Sequence, residues 1–142
     1  MPTTVPASAG RKVVDSWALV AWVRREPSAP LIRGFLLEAD AGNLSLAMSW
    51  INVAETFCIL AKRDSPDIGE AFMTRLPSLP LRVVLPNKEG IMMAARIKAA
   101  HPVAFGDAFA IALAQSEHAS VITGDAEIRR CGLVAVDWVG GY

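Results

Sequence analysis

One carboxylate interrupts the stretch VAFGDAFAIALA at residues 103–114, in which every other residue is apolar or glycine. Burying a carboxylate without a partner is costly and usually forces its protonation. Asp107 must therefore face a backbone amide, a basic side chain, water or a metal ion. Capping of the helix behind it is an open alternative. That helix is apolar on nearly every side, however, which favours a position against a sheet.

Two further aspartates stand where predicted strands end. The segment KVVD ends at Asp15 and SVITGD ends at Asp125, in each case after β-branched residues and before a predicted helix. Ligands of parallel α/β sheets bind beyond the carboxyl ends of the strands. Either aspartate could simply cap the following helix. Two such strand ends in one small domain nevertheless favour a shared site.

A fourth acid, Glu55, lies in the predicted helix SWINVAETFCILAKRD, just beyond the edge of its apolar arc. The alternative for Glu55 is a boundary glutamate in water, near Lys62. Asp137, in VAVDW, is left out of the candidate site because nothing in the sequence converges on it.

Several acids share one cleft only if something offsets their repulsion, because like charges raise one another's pKa. A divalent cation does so directly. Oxygen ligands without histidine or cysteine nearby favour Mg²⁺ or Mn²⁺ over zinc, and these ions serve phosphoryl chemistry. Cys58 and Cys131 match no metal-ligand spacing, and we expect both to be buried free thiols.

The composition bounds the remaining possibilities. The chain has 142 residues, 53% of them hydrophobic, which excludes disorder and predicts one domain. Lysine plus arginine equal aspartate plus glutamate at 14 each, so nucleic-acid binding would depend on local patches. No apolar run is long enough to span a bilayer, and the start of the chain lacks a signal-peptide pattern. We expect a mobile leader over residues 1–11, a domain over 12–142 and a cytoplasmic protein.

Short apolar strands alternate with helices along the chain. Ser49 and Asn87 are predicted to cap two of the helices. The predicted strands are residues 12–15, 44–47, 81–86, 120–125 and 133–139, and the helices between them include 16–25, 30–41, 49–64, 87–100 and 106–118. This alternation predicts an α/β fold with a parallel sheet that is covered on both faces.

Four segments, VVDSWALVAWV, MSWINVAETFCIL, FGDAFAIALA and SVITGDAEI, occur in the order and spacing of the PIN domain. The sequence most closely resembles the VapC-type toxin ribonucleases of toxin–antitoxin pairs, from about Lys12 to Val139. The resemblance implies a PIN-like fold, with a central, mostly parallel sheet of short strands flanked by helices on both faces. Trp17 departs from the pattern, since the family usually has a small residue there.

Carried over residue by residue, the resemblance implies a catalytic quartet of Asp15, Glu55, Asp107 and Asp125. Asp15 and Asp107 would be the principal ligands of one or two Mg²⁺ or Mn²⁺ ions, helped by Asp125. The activity implied is endoribonuclease cleavage of structured RNA, of the tRNA or rRNA class, by a metal-activated water. The residues implied to orient the carboxylates are Ser16, Asn52 and Thr123.

The resemblance also implies a protein partner, an antitoxin that covers the acidic cleft with a basic side chain, and a homodimer. Candidate contacts to RNA are the basic pairs Lys62–Arg63 and Arg129–Arg130, for which solvated helix ends are the alternative.

Two other functions are alternatives to the nuclease. A phosphoaspartate enzyme of receiver or haloacid-dehalogenase type needs an acid two residues after the first aspartate, or a neighbouring acidic pair, and a late lysine. The segment DSW has no acid two residues after Asp15, and no lysine follows Lys98. A PIN-like module that binds RNA or protein without cleaving it stays open. Nucleotide-binding glycine motifs are missing from the sequence.

Overall fold

The structure, a computed structural model, describes residues 10–141, which form five strands, seven α-helices and one short 3-10 helix at Leu76–Ser78. The strands are β1 (Arg11–Val14), β2 (Ser45–Ser49), β3 (Arg82–Val84), β4 (Ser120–Thr123) and β5 (Val136–Trp138). The helices are α1 (Ser16–Val23), α2 (Ala29–Asp40), α3 (Trp50–Arg63), α4 (Pro66–Arg75), α5 (Lys88–Ala100), α6 (Phe105–Glu117) and α7 (Ala126–Cys131). The predicted leader over residues 1–11 falls mostly outside the described residues.

All neighbouring strands of the sheet run parallel, in the order β3-β2-β1-β4-β5. The predicted α/β class and sheet are therefore confirmed. The chain steps outward from β1 through β2 to β3 and then returns to the other side of β1 to form β4. The topological switch point thus lies between β1 and β4, where open α/β sheets bind their ligands.

Two hydrophobic clusters cover the two faces of the sheet, because successive strand residues point to opposite sides. Val14 packs in a cluster with residues of α1 to α4, whereas Val13 packs in a cluster with residues of α5 to α7. Both faces are therefore closed, as a parallel sheet requires. Every helix within residues 10–141 is too short or too polar to cross a membrane.

The central part of helix α6 is buried on all sides, as its composition predicts. Its residues 107–112 are all buried, and at 100° per residue six successive positions cover every face of a helix. It packs against α3, α5 and strands β1, β2 and β4. The first turn of α6, with Asp107, is thereby held at the sheet.

The local signals for helix starts are confirmed. The hydroxyl of Ser49 accepts from the backbone N–H of Ile51 at 3.2 Å, and the side chain of Asn87 accepts from that of Gly90 at 2.9 Å. These bonds satisfy amide groups that a helix leaves unpaired at its start.

Expectations for three side chains are wrong. Asp137 was expected to have nothing converging on it, yet its carboxylate accepts from Lys12 at 2.8 Å and also from the hydroxyl of Ser120. This network joins β1, β4 and β5.

Cys58 is exposed rather than buried, and Cys131 is half-buried. A cysteine in a helix can lie on the buried face or on the exposed face, and for Cys58 only the packing around α3 determines which face it occupies.

Helices α6 and α7 both end at a residue with left-handed backbone, His118 at φ 53° and Gly132 at φ 70°. A side chain in this region costs about 1–2 kcal/mol, which glycine avoids. We expect His118→Gly to raise the free energy of unfolding by about 0.5–1 kcal/mol and Gly132→Ala to lower it by about 1 kcal/mol. Urea denaturation measures both values. A less stable His118→Gly protein would contradict the expectation.

Candidate functional site

Four predicted acids converge at the carboxyl edge of the sheet, around the switch point between β1 and β4. Asp15 follows β1 and caps α1, and Asp125 follows β4 and caps α7. Glu55 projects from α3, the helix that follows β2, and Asp107 lies in the first turn of α6. Residues that are far apart in the chain thus meet at one edge. Their catalytic roles stay a prediction.

Asp15 lies beneath the surface of this edge, with an exposed fraction of 1%. One carboxylate oxygen accepts from the backbone N–H of Ala18 at 3.0 Å, and the other accepts from the hydroxyl of Thr123. That hydroxyl also accepts from the backbone N–H of Asp125 at 2.9 Å. Thr123 therefore couples the two aspartates at the ends of the two central strands.

Glu55 is held from two directions rather than left in water. The hydroxyl of Ser16 donates to its carboxylate, and the amide of Asn52 lies at 3.4 Å from the same oxygen. The Asn52 amide also donates to the carbonyl of Gly106 at 2.9 Å, which joins α3 to the start of α6. A Cβ at Gly106 would overlap the Glu55 carboxylate. Within the described residues, Glu55 forms no ion pair with Lys62.

Asp107 does not cap α6, because Ala104 occupies the N-cap position. The side chain is buried, with an exposed fraction of 7%. One buried carboxylate oxygen, Oδ2, has no hydrogen-bond partner within the described part of the chain. Buried polar groups without partners are rare in proteins and costly. An oxygen in this state is suited to a cation.

A cavity of about 390 Å³ opens at this edge of the sheet. Five acidic side chains and one basic side chain, Arg63, are among the described residues that line it. Asp15 lies below the cavity rather than in its wall. Glu26 pairs with Arg24 at 2.8 Å, and Arg24 also pairs with Asp64. The lining residues are Ser16, Trp17, Val20, Glu26, Glu55, Ile59, Arg63, Ala104, Asp107, Asp125, Ala126 and Glu127.

Three of these acids lie close enough to share one ion. Side-chain oxygens of Asp107, Asp125 and Glu127 are all within 4.8 Å of one another. Oxygen ligands at roughly 2.0–2.6 Å from Mg²⁺ or Ca²⁺ are spaced by about 5 Å or less, so the three carboxylates fit a hard divalent ion. Asp15 and Glu55, which were predicted in the same site, are outside this group of three.

Glu127 was not singled out from the sequence. An acid near the start of a helix is commonplace, because the helix dipole favours it there. The one feature of the sequence that could have indicated Glu127 is its position two residues after Asp125, the acid that follows β4.

Burial raises the pKa of both central aspartates from 3.8 to about 7. For Asp107, repulsion from Asp125, Asp15 and Glu55 adds to the effect of burial. For Asp15, hydrogen bonds from Thr123 and from the Ala18 backbone oppose the effect, and repulsion from Asp125 and Glu55 adds to it. A bound divalent cation reverses this balance, because it favours the charged form of each carboxyl.

The structure brings one of the four basic residues predicted to contact RNA to the cavity. Arg63, the last residue of α3, lines it. The guanidinium of Arg129 lies 3.7 Å from the centre of the Trp138 ring, a cation–π contact. Lys62 and Arg130 are exposed and do not line the cavity. RNA contact by these residues stays a prediction.

Trp17 also shapes the site. Its ring lines the cavity and lies against Gly124, where a Cβ would overlap it. Gly124 directly precedes Asp125, so a large side chain after Asp15 is accommodated by a glycine before Asp125.

Comparison with known proteins gives a family match. A family model described as the PIN domain matches residues 12–133. No curated protein matches the sequence.

Similar solved structures include three from bacterial toxin–antitoxin systems. Mycobacterium tuberculosis VapC20, a sarcin–ricin-loop-cleaving toxin, has a TM-score of 0.72 at 16% identity, over 87% of this chain and 96% of that chain. VapBC2 from Rickettsia felis, bound to promoter DNA, has a TM-score of 0.68 at 14% identity, over 89% of this chain and 97% of that chain. DNA-bound VapBC from Salmonella typhimurium has a TM-score of 0.68 at 17% identity, over 90% of this chain and 97% of that chain. At these identities the likeness shows a shared fold.

The raised pKa values predict that the metal-free protein loses stability as the pH rises. Asp15 and Asp107 have a pKa of about 7 when folded and an ordinary value of 3.8. Between these values the folded state binds more protons than the unfolded state. The free energy of unfolding should therefore fall from about pH 4 to about pH 7 and then level off.

Urea denaturation in EDTA, at intervals from about pH 5 to about pH 8, measures this slope. Asp107→Asn should flatten the profile, whereas Asp67→Asn, an exposed control in the first turn of α4, should leave it unchanged. Constant or rising stability of the parent protein over this range would contradict the expectation.

Proposed function

The chain belongs to the PIN-domain family, and from this premise we propose that it is a metal-dependent endoribonuclease, the toxin of a toxin–antitoxin pair. The observation that carries the proposal is the buried Asp107 carboxylate at the switch point of the sheet, which has one oxygen without a hydrogen-bond partner and lies beside the carboxylate of Asp125. Such an oxygen is stabilised by a cation, and no basic side chain within the described residues bonds to it.

The proposed metal is Mg²⁺ or Mn²⁺, one or two ions, held by Asp107 and Asp125 with Asp15 and Glu55 in the same charged cluster. When bound, such an ion neutralises phosphate charge and lowers the pKa of a water molecule. Both Asp15 oxygens already accept one hydrogen bond each, but each oxygen retains a second lone pair for a metal. Asp15 therefore remains a proposed ligand.

The chain's own residues keep the carboxylates in place. Thr123 orients Asp15 and the start of α7, while Ser16 and Asn52 orient Glu55. Such contacts around metal ligands fix their orientation and tune their affinity. The burial of Asp107 and Asp15 lowers the local dielectric, which strengthens every interaction with the ion.

The proposed substrate is structured RNA of the tRNA or rRNA class. The cavity is open at the strand ends, and Arg63 in its wall provides a positive group for a phosphate. The cleavage of the sarcin–ricin loop by VapC20, which has the same fold, supports an RNA target of this class. The RNA substrate in turn supports a cytoplasmic location.

The proposed protein partners are an antitoxin and a second copy of the chain. Similar structures are toxin–antitoxin complexes, and acids in the cavity wall suit a basic side chain of such a partner. Exposed apolar residues at the ends of neighbouring strands support a homodimer. They include Trp50, directly after β2, and Leu85, directly after β3, exposed by 39% and 76%.

Cleavage of RNA by the purified protein tests the proposal. We expect discrete products from structured RNAs, including tRNA, with Mg²⁺ or Mn²⁺, and none in EDTA. Asp107→Asn should lower the rate by roughly a hundredfold or more, equivalent to about 3 kcal/mol of transition-state stabilisation. Gel electrophoresis of end-labelled RNA measures the products.

Asp67→Asn is the matched control, because it removes an exposed acid from the first turn of α4 and should retain full activity. Cleavage that persists in EDTA and in Asp107→Asn would contradict the metal-dependent mechanism. Binding of RNA without cleavage under all conditions would favour the non-cleaving module instead.

A further inference from the structure

Glu127 is an acid of the cavity wall that the predicted quartet does not include. It is the second residue of α7, and its backbone N–H donates to Asp125 at 2.8 Å. Its carboxylate lies with those of Asp107 and Asp125, within 4.8 Å. Glu127 of α7 and Asp125, the N-cap of α7, thus lie close to Asp107 of α6. Like charges this close repel one another unless something positive lies between them.

The helix dipole explains why an acid is favoured near the start of α7, but it does not explain where the carboxylate points. Glu127 forms no ion pair within residues 10–141, and the nearby Arg129 lies over Trp138 instead. A solvated glutamate has room to turn away from Asp107. Its approach to two other carboxylates therefore needs a second explanation.

The independent observation is at Asp107. This side chain is more than nine-tenths buried, and its Oδ2 atom has no donor within the described residues. The same residue lines the cavity and belongs to the group of three. The side chain with the unpartnered buried oxygen thus lies beside Asp125 and Glu127, and the three carboxylates together fit a single positive ion.

We propose that Glu127 is a metal-ligating residue of this site, together with Asp107 and Asp125. The inference rests on the proposed function, because it concerns the ion that the nuclease would use. It adds to the quartet a carboxylate from α7. Glu127 is exposed, so it is the ligand of the group that solvent and substrate reach most readily.

Binding of Mn²⁺ to the purified full chain tests the inference without any measurement of activity. The variants are Glu127→Gln, Asp107→Asn and Glu89→Gln. Glu89 is the matched control, because it is also exposed and is also the second residue of a capped helix, α5. Calorimetry and the electron paramagnetic resonance of free Mn²⁺ give the dissociation constant.

We expect Glu127→Gln to raise the Kd for Mn²⁺ by about tenfold or more, since changes close to metal ligands typically cost 10–100-fold in affinity. Glu89→Gln should bind Mn²⁺ like the parent protein. Both variants remove a favourable interaction with a helix dipole, but Glu127→Gln also relieves repulsion from Asp107 and Asp125, so thermal melting in EDTA should show it to be at least as stable as Glu89→Gln.

Two results would overturn the inference. If Glu127→Gln binds Mn²⁺ like Glu89→Gln while Asp107→Asn does not bind it, Glu127 is not a ligand, but the proposed nuclease site stands. If the parent protein itself binds no Mn²⁺, both the inference and the proposed metal dependence fail.

Discussion

Repulsion among carboxylates is the constraint on which the candidate site depends. Parallel strands deliver Asp15 and Asp125 to one edge of the sheet, and the buried helix α6 adds Asp107 beside them. Burial and mutual repulsion raise the pKa of Asp15 and Asp107 to about 7. A protein without a cation there must keep protons on these groups or lose stability. The arrangement is therefore matched to a positive ion, and it is costly without one.

The surrounding structure consists of features that hold the acids together despite this cost. Thr123 bridges Asp15 and the backbone of Asp125, so the two central strands share one hydrogen-bonded unit. Asn52 bonds to the carbonyl of Gly106, and the missing side chain of this glycine leaves room for Glu55. The two hydrophobic clusters close both faces of the sheet, and they supply the stability that opposes the local repulsion.

Much of the fold could be predicted from the sequence, because apolar strands, helix caps and an all-apolar helix are local patterns. The meeting of Asp15 and Asp125 could also be predicted, since strand ends of parallel sheets meet at one edge. Asp107 and Glu55 lie in helices, and only the resemblance to the PIN domain implied that they join the same site. Glu127 could not, because an acid at the start of a helix has a sufficient local explanation. The partners of Asp137 likewise depend on strand order, which places β5 beside β4 and leaves Lys12 and Ser120 within reach.

Anomalous diffraction from crystals of the protein grown with Mn²⁺ tests the central claim most directly. We expect a Mn²⁺ peak in the cavity, at about 2.0–2.6 Å from a carboxylate oxygen of Asp107 and near Asp125. A crystal without a peak in the cavity would contradict the account. So would a structure in which a donor from the protein itself, rather than an ion, satisfies the buried oxygen of Asp107.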